Sequence, residues 1–471
     1  MLSNKEFRKH GHGVIDWIAD YLDGIEQFPV KSTMLPGEIK AQLSQFAPEE
    51  GEQMENIFNE FKQIIPPGIT HWQHPGFMAL FPSNASYESM LGEFLAAGLG
   101  INAMVWETSP AATELEEIMM DWLKKMFRLP LEFKGVIHDT ASISTLTAIL
   151  SAREKHSDFR INKHGFNNYE NLILYCSEQT HYSIEKGAKA AGIGLDNVRK
   201  IKTDAKYAMV ADELKIHIER DIQSGKQPFM VVATLGTTSS LAFDPLFEIG
   251  TICREKNIWL HVDAAYAGSA FILEEYQHYL QGIEFADSYV VNAHKWLFTN
   301  FDCSLYYVKD VQHLINTFSS NPEYLKRTVD DVLNYKDWGI PLGRRFRALK
   351  LWFVLRSFGI EGLKNKLREH IRLSNLFYDK IRLNNEWEIM APFTMNVLCI
   401  RFIPSSINTE DALNKINETI VSKINATGKF YLSGTKLNGK YVIRVVIGQT
   451  NVEERHVEIL YALLNSIASK I

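Results

Sequence analysis

Two charged residues follow apolar, strand-like runs in the middle of the chain. Asp263 ends the run in IWLHVD, and Lys295 follows the run in YVVNAHK. A charged side chain at the end of a buried strand loses its hydration unless a partner compensates for the loss. Asp263 and Lys295 therefore either pair with each other or neighbouring charges, or face a charged ligand, and their spacing alone leaves both explanations open.

The second explanation indicates a particular chemistry. Pyridoxal phosphate (PLP) needs a lysine amine for covalent attachment and an acid that keeps its ring nitrogen protonated, so that the ring can accept electrons. In open α/β sheets, ligands bind beyond the carboxyl ends of the strands, which is where Lys295 and Asp263 are predicted to lie. The two residues can therefore supply both groups on one rim of a sheet.

A PLP site also requires a phosphate anchor, and the sequence has none of the usual glycine-rich phosphate loops. In GVIHDTASISTLTAILSAR, a short apolar run reaches small hydroxyl residues and then becomes helical. Free amides at the helix start, together with the hydroxyl groups of Thr140 and Ser142, would bind a phosphate. The alternative is an ordinary helix N-cap formed by Asp139 or Thr140.

The elements that must position these residues fall into three parts. Residues 1–86 begin with amphipathic helical patterns and then become irregular and aromatic. Residues 87–350 alternate short β-rich runs with helical stretches, which predicts an α/β fold with a mainly parallel central sheet flanked by helices. Residues 351–471 mix helices with two strand-like runs, and we expect them to form a smaller α+β domain.

Composition and charge exclude several classes of protein. Hydrophobic residues make up 46% of the 471 residues and the formal net charge is -6, which is typical of a globular enzyme. Lysine and arginine are not clustered as nucleic-acid binding requires. The N-terminal residues lack a secretory layout and no stretch approaches the apolar length of a membrane span, so we expect a cytoplasmic protein without membrane or nucleic-acid partners.

No metal site is expected. The four cysteines are far apart and have no C-x-x-C spacing, which favours reduced thiols in the core over zinc or disulfide sites. His71 and His74 have a spacing that would suit a metal, but no acidic or thiol ligand accompanies them and Pro75 breaks any helix.

Taken together, the motifs resemble the group II PLP-dependent decarboxylases, and aromatic L-amino acid decarboxylases in particular. The resemblance depends on an ordered set that covers nearly the whole chain: FRKHGHGVIDWIADYLDGIEQFPV, THWQHPGFMALFPSNASY, TSPAATELEEIMMDWL, ATLGTTSS, HVDAAYAG, NAHKWL, NFDCSLYYV and IPLGRRFRALKLW. It implies the PLP-dependent transferase fold (fold type I, as in aspartate aminotransferase). It also implies an N-terminal segment that clasps a second copy of the chain, in a homodimer with active sites at the interface.

The resemblance implies a role for individual residues. Lys295 would carry the cofactor, Asp263 would bind the pyridine nitrogen, and His181 would stack on the ring. The other implied cofactor contacts are Ala141 and Ser142 at the phosphate, Thr238 near the cofactor hydroxyl, and Asn292 and His294 beside the lysine. Tyr324 lies in a polar segment that is typical of a mobile loop. It matches a tyrosine that returns a proton to Cα, a step for which Lys295 is the alternative donor.

The implied reaction is decarboxylation of an aromatic L-amino acid to its arylalkylamine and carbon dioxide. Candidate substrates are Dopa, tyrosine, phenylalanine, tryptophan and 5-hydroxytryptophan. The implied pocket residues are Trp72, Leu80, Phe81, Pro82, Asn102, Met104 and Gly343. The irregular stretch THWQHPGFMALFP suits the wall of an aromatic pocket, although a loop packed on its own core has the same composition.

The chain departs from the animal enzymes at several of these positions. Leu80, Asn102 and Met104 stand where those enzymes have tyrosine, isoleucine and phenylalanine, and Asn102 and Met104 are expected to reach the partner's site. Gly343 matches the glycine of relatives that accept indoles. Asp139 replaces a small residue near the phosphate, and we expect its carboxylate to turn away from that charge.

Two other enzymatic functions stay open. An aromatic aldehyde synthase on the same scaffold would consume oxygen, and a group II decarboxylase could act on a non-aromatic amino acid. Retention of both His181 and Tyr324 favours the decarboxylase, because synthases of this family tend to have replaced one of them. The intact set of Lys295, Asp263 and His181 disfavours a non-enzymatic interaction protein.

Overall fold

The structure is a computed structural model that describes residues 1–167, 169, 171–320 and 332–471. The α-helices are α1 (Asn4–Asp23), α2 (Glu38–Gln42), α3 (Met54–Ile64), α4 (Tyr87–Leu99), α5 (Pro110–Met126), α6 (Ala141–Ser157), α7 (Arg160–His164), α8 (Ser183–Ala190), α9 (Ala211–Gln223), α10 (Leu246–Lys256), α11 (Ala293–Trp296), α12 (Val311–Phe318), α13 (Arg347–Arg382), α14 (Glu410–Ala426) and α15 (Glu454–Ala468). The strands are β1 (Lys134–His138), β2 (Leu172–Ser177), β3 (Val198–Ile201), β4 (Gln227–Thr234), β5 (Trp259–Asp263), β6 (Ser288–Asn292), β7 (Ser304–Val308), β8 (Trp387–Ile389), β9 (Val397–Phe402), β10 (Ser433–Leu437) and β11 (Lys440–Val446).

The described residues form two compact units. The first comprises Met1–Pro82, Leu373–Met390 and Leu398–Ile471, and the second comprises Ser83–Arg372 and Ala391–Val397. The beginning and the end of the chain therefore contribute to the same unit. The division into functional parts at residues 1–86, 87–350 and 351–471 stays a prediction.

The second unit is built on a seven-stranded sheet with the order β1-β7-β6-β5-β4-β2-β3. Strand β7 pairs antiparallel with both β1 and β6. The pairs β6-β5, β5-β4, β4-β2 and β2-β3 are all parallel. The prediction of a mainly parallel central sheet is confirmed, and β1 runs in the same direction as β6.

Both faces of this sheet are covered, which explains why its strands read as nearly continuous apolar runs. Every residue of β2, β5, β6 and β7 is buried. On one face, Leu174, Met230 and Val290 share a core cluster with residues of α6, α8 and α12. The alternate residues Ile173 and Val231 are equally buried, and α9 and α10 contact β4.

The first unit contains a smaller sheet with the order β10-β11-β9-β8. Strands β8 and β9 pair antiparallel, as do β10 and β11. Helix α14 packs against β10 and β11 and contacts α15. This arrangement confirms the α+β character predicted for the C-terminal part of the chain. Across the described residues, no helix combines the length and apolar character needed to cross a membrane.

A buried ion pair joins α5 to the segment before α13 in the second unit. Arg344 Nη2 lies 2.6 Å from Glu116 Oε1, and both side chains are almost fully buried. The same carboxylate oxygen accepts the Ile137 N–H of β1 at 2.8 Å, while Arg344 Nη2 also donates to the Ile137 carbonyl. The pair therefore attaches helix α5 and the segment before α13 to β1, the edge strand of the sheet.

Glu116→Ala should lower the free energy of unfolding by roughly 3–5 kcal/mol, because the Arg344 guanidinium would stay buried without its anion. Urea denaturation measures the change. The matched control is Glu275→Ala, which breaks an exposed pair with Arg368 and should cost about 1 kcal/mol or less. Equal losses in the two variants would contradict the stabilising role of the buried pair.

Three histidines of the second unit are buried in a neutral state. Burial lowers the pKa of His138 to about 3, and the Arg344 charge adds to the effect. Burial also lowers the pKa of His261 to about 4, although Asp263 opposes it. The pKa of His294 falls to about 3 through burial and the neighbouring Lys295 charge. The folded state therefore resists protonation of all three rings.

These histidines should make the protein less stable in mild acid. In the unfolded chain a histidine has a pKa near 6.5, so the unfolded state takes up protons below that pH while the folded state does not until about pH 4. The contribution of these neutral rings to the free energy of unfolding is fully present above pH 7 and is lost as the pH falls below 6.5. Between pH 7.5 and pH 5.5, each ring should lower the free energy of unfolding by about 1 kcal/mol.

Urea midpoints at the two pH values test this expectation. His138→Asn should reduce the acid-induced loss of stability by the share of one histidine. Gln42→Ala, which alters an exposed side chain that does not titrate, is the control and should leave the pH dependence unchanged. An unchanged pH dependence in His138→Asn would contradict the expectation.

Candidate active site

The residues expected at the cofactor follow the carboxyl ends of parallel strands. His181 follows β2, Thr238 follows β4, Asp263 ends β5, Asn292 ends β6, and His294 and Lys295 lie in α11 directly after it. Strand β1 leads into α6, which begins with Ala141 and Ser142. Because β1, β2, β4, β5 and β6 share one direction, all of these positions lie along a single edge of the sheet.

Backbone hydrogen bonds fix the position of Asp263 at this edge. Its register partners are Thr234 in β4 and Val290 in β6. The Ala265 N–H donates to Asp263 Oδ1 at 3.0 Å, and the Ala265 carbonyl accepts the Asn292 N–H at 3.0 Å. The turn after β5 therefore holds both the buried carboxylate and the strand end that precedes Lys295.

His181 shares an electrostatic environment with Asp263 and Lys295. Partial burial lowers the pKa of His181, the Lys295 charge lowers it further, and the Asp263 charge opposes the change. The Ser183 N–H donates to His181 Nδ1 at 3.2 Å, so the neutral ring carries its proton on Nε2. An uncharged ring of this kind suits stacking on an aromatic cofactor next to a carboxylate and an amine.

The start of α6 offers free donors for an anion. No side chain caps this helix, and the amides of Ala141 and Ser142 occupy its first two positions, where helical geometry provides no acceptor. The Asp139 carboxylate is instead folded against Thr140, where Oδ1 accepts the backbone N–H at 2.5 Å and lies 3.2 Å from the hydroxyl oxygen. The helix start can therefore bind a phosphate through backbone N–H groups.

Asn292 and His294 add two further polar groups beside Lys295. Asn292 Oδ1 is buried and has no hydrogen-bond partner within the described part of the chain. The Cys303 N–H donates to His294 Nδ1 at 2.8 Å, which leaves the proton of this neutral ring on Nε2 as a donor. A buried acceptor without a partner is costly, so Asn292 Oδ1 fits a ligand that carries a donor, while the His294 N–H can donate to an anion such as a phosphate.

An ion pair near this edge was not anticipated from the sequence. Arg347 binds Asp302 through two hydrogen bonds, Nε to Oδ1 at 2.7 Å and Nη2 to Oδ2 at 3.3 Å. Arg347 also lines a cavity of about 240 Å³ together with Asp139, Ile143 and Gly343. The sequence feature that could have indicated this ion pair is the opposite charge of Asp302, in the motif NFDCSLYYV, and Arg347, in the motif IPLGRRFRALKLW.

Residues expected in the substrate pocket form two groups, one in each unit. In the first unit Trp72 is partly exposed and stacks on Phe77, with ring centroids 4.5 Å apart. Leu80 has a left-handed backbone with φ of 43°, which is strained for a branched side chain, and its carbonyl accepts Arg444 Nη1 at 2.6 Å. The same guanidinium lies over the Phe81 ring, and Pro82 is buried.

The second group brings Asn102, Met104 and Gly343 together. Asn102 Oδ1 accepts the Arg344 N–H at 2.9 Å, and Asn102 Nδ2 lies 3.6 Å from Met104 Sδ. A Cβ atom at Gly343 would have Asn102 Nδ2 as its nearest neighbour, at 3.7 Å. These positions are far apart in sequence, and the structure makes them one surface of the second unit.

Tyr324 lies outside the described residues, so its role stays a prediction. The same holds for the expected loop around it.

His71 Nδ1 lies 2.7 Å from the Tyr21 hydroxyl, and His74 Nδ1 accepts the Gly76 N–H. Within the ranges that the structure describes, no cluster of three or more metal-binding side chains is found. Cys176, Cys253, Cys303 and Cys399 are free and buried.

Comparison with solved structures finds the same architecture. A crystal structure of Oryza sativa TDC with PLP and tryptamine has a TM-score of 0.97 and 33% sequence identity, covering 100% of this chain and 99% of that chain. Among curated proteins, tryptophan decarboxylase 2 of Oryza sativa subsp. japonica is 43% identical, over 99% of this chain and 95% of the relative. Phenylacetaldehyde synthase of Arabidopsis thaliana is also 43% identical, over 99% of this chain and 97% of the relative.

The family described as "Pyridoxal-dependent decarboxylase conserved domain" matches residues 36–403. This range contains every residue that was expected to contact the cofactor. The match agrees with the placement of an amine, a buried carboxylate and a neutral histidine at one edge of the sheet. The chain therefore belongs to the pyridoxal-dependent decarboxylase family, whose cofactor is PLP.

Proposed function

We propose that the protein decarboxylates aromatic L-amino acids, releasing carbon dioxide and an arylalkylamine. The main support is the shared electrostatic environment of Lys295, Asp263 and His181 at one edge of the parallel sheet. Relatives of known activity include both a tryptophan decarboxylase and a tyrosine decarboxylase, each more than 40% identical. The candidate substrates are Dopa, tyrosine, phenylalanine, tryptophan and 5-hydroxytryptophan.

When bound, PLP supplies a ring that accepts the electrons left by a breaking bond at Cα. Lys295 offers its amine for covalent attachment, and Asp263 stabilises the positive charge of the protonated ring nitrogen. His181 would stack on the ring and keep water from its face. Asn292 and His294 would hold the phosphate together with the amides of Ala141 and Ser142. Tyr324 or Lys295 returns a proton to Cα.

Each unit, taken by itself, carries side chains that suit an aromatic ring. In the first unit Trp72 and Phe81 offer ring faces, and the strained Leu80 has an exposed apolar side chain. In the second unit, Asn102 Nδ2 lies beside Gly343 and is 3.6 Å from Met104 Sδ. Aromatic faces with a few polar groups are typical of pockets that bind a ring.

An aromatic aldehyde synthase is the second candidate, because phenylacetaldehyde synthase of Arabidopsis thaliana is as similar as the decarboxylases. Both His181 and Tyr324 are present, which supports the decarboxylase. The two reactions differ in their stoichiometry, since a synthase consumes oxygen and releases ammonia and peroxide. Oxygen uptake measured alongside amine formation separates them, and a decarboxylase forms amine without oxygen uptake.

We also propose a homodimer with active sites at the interface. In the first unit, α1 contains no buried residue and exposes Phe7, Val14 and Ile15. In the second unit, α4 exposes an apolar row that consists of Leu91, Phe94, Leu95 and Leu99. Exposed apolar faces of this kind usually mark an interface.

The four buried free thiols suit a reducing compartment, and we propose a cytoplasmic location.

Lys295→Ala should abolish amine formation from every aromatic amino acid, with a loss of at least roughly 1000-fold, while the fold stays intact. Borohydride reduction of the PLP-loaded protein should attach the cofactor mass to the peptide that contains Lys295. Lys309→Ala alters an exposed lysine and is the control, expected to keep wild-type turnover. Wild-type rates in Lys295→Ala would refute the assignment.

The wild-type protein should sediment at twice the mass of one chain. Leu91→Asp combined with Leu95→Asp places two charges on the apolar row of α4, so this variant should shift toward the monomer and lose activity. Leu131→Asp changes an exposed leucine outside that row and should leave the mass unchanged. An active wild-type monomer at assay concentration would rule out the proposed dimer.

A further inference from the structure

Hydrogen bonds within one chain hold Asn102 next to Gly343. The Ala103 N–H donates to the Arg344 carbonyl at 2.9 Å, and the Arg344 N–H donates to Asn102 Oδ1 at 2.9 Å. Arg344 is itself anchored to Glu116 by the buried ion pair. One chain therefore supplies Asn102 and Gly343 together, whether they contact the substrate bound to that chain or the substrate bound to its partner.

The Arg344 N–H determines the orientation of the Asn102 amide. A backbone N–H can only donate, so the atom that it contacts must be the side-chain oxygen. Asn102 Nδ2 is left with two N–H donors, and it lies 3.6 Å from the weak acceptor Met104 Sδ. The side chain is exposed in the single chain, so at least one strong donor is available to a ligand.

Among the described residues, the space at Gly343 beside this donor is open. An added Cβ atom there would have Asn102 Nδ2 as its nearest neighbour, at 3.7 Å. Gly343 also lines the cavity of about 240 Å³ that reaches Asp139 and Arg347 near the start of α6. Within the part of the chain that the structure describes, a ring that passes Gly343 can therefore approach Nδ2 without displacing a side chain.

We propose that Asn102 Nδ2 donates a hydrogen bond to an oxygen on the substrate ring, so that the enzyme prefers ring-hydroxylated aromatic amino acids. The inference rests on the proposed function, because it assigns a substrate class to the same site. Isoleucine or leucine at this position cannot donate a hydrogen bond, whereas the amide does so with a fixed orientation. Tyrosine is then favoured over phenylalanine, and 5-hydroxytryptophan over tryptophan.

The test compares kcat/KM within matched substrate pairs that differ by one hydroxyl group. In the wild type, tyrosine should exceed phenylalanine by roughly 3- to 30-fold, the effect expected of one neutral hydrogen bond in a site closed to water. In Asn102→Leu this ratio should fall toward one because kcat/KM for tyrosine decreases while that for phenylalanine does not. The ratio of 5-hydroxytryptophan to tryptophan should change in the same direction.

A second variant separates substrate recognition from local structure. Asn102→Ser has a shorter hydroxyl side chain that can still accept the Arg344 N–H but cannot reach the ring, and it should show the same loss. The control is Thr108→Val, because the Thr108 hydroxyl donates to the Asn102 and Val105 carbonyls and belongs to the same segment. That variant removes the one hydroxyl proton that these two carbonyls share and leaves the Asn102 donor in place, so it should keep the wild-type ratio.

The outcomes distinguish this inference from the proposed function. Absence of amine from all five aromatic amino acids would refute the proposed function. Amine formation with a tyrosine-to-phenylalanine ratio that is the same in wild type, Asn102→Leu and Asn102→Ser would overturn the inference alone. Loss of the ratio in Thr108→Val as well would also overturn it, because the effect would then follow from the segment's shape.

Discussion

The buried charge of Asp263 is the constraint on which the arrangement of the second unit depends. A carboxylate at the end of a fully buried strand loses its water, and the Ala265 N–H compensates one of its oxygens. The remaining compensation must come from positive charge at the same edge of the sheet. We propose that Lys295 and a protonated cofactor nitrogen would provide it, since the amine and the acid follow adjacent parallel strands.

Some of this arrangement could be predicted from local sequence. The apolar runs that end in Asp263 and precede Lys295 indicate buried strands, and strand direction then places both residues at one edge. His181, Thr238 and Ala141 have no such local signal, because loop histidines and small residues at helix starts are common in proteins. Only the resemblance to a family pointed to them, and their roles at the cofactor stay predictions.

Other features depend on contacts that no local pattern encodes. Asn102 meets Arg344 across 242 positions of the sequence, and Arg347 meets Asp302 through side chains from separate motifs. The left-handed backbone of Leu80 is equally hidden, since leucine rarely adopts this conformation. Asn102 and Asp139 share one feature. Each uses a side-chain oxygen to accept a backbone N–H, which a hydrocarbon side chain cannot do.

Strand β7, which runs antiparallel to its neighbours in the large sheet, sets the separation between β1 and β6. Strand β7 lies between β1, which leads to the helix that offers amides to a phosphate, and β6, which leads to Lys295. Two strand spacings of about 4.8 Å therefore separate these elements laterally by about 10 Å. Because β7 runs the opposite way, its amino end brings Asp302 and Cys303 to the same edge, where the Cys303 N–H donates to His294. Strand β7 therefore sets the lateral separation between the amides at the start of α6 and the amine of Lys295.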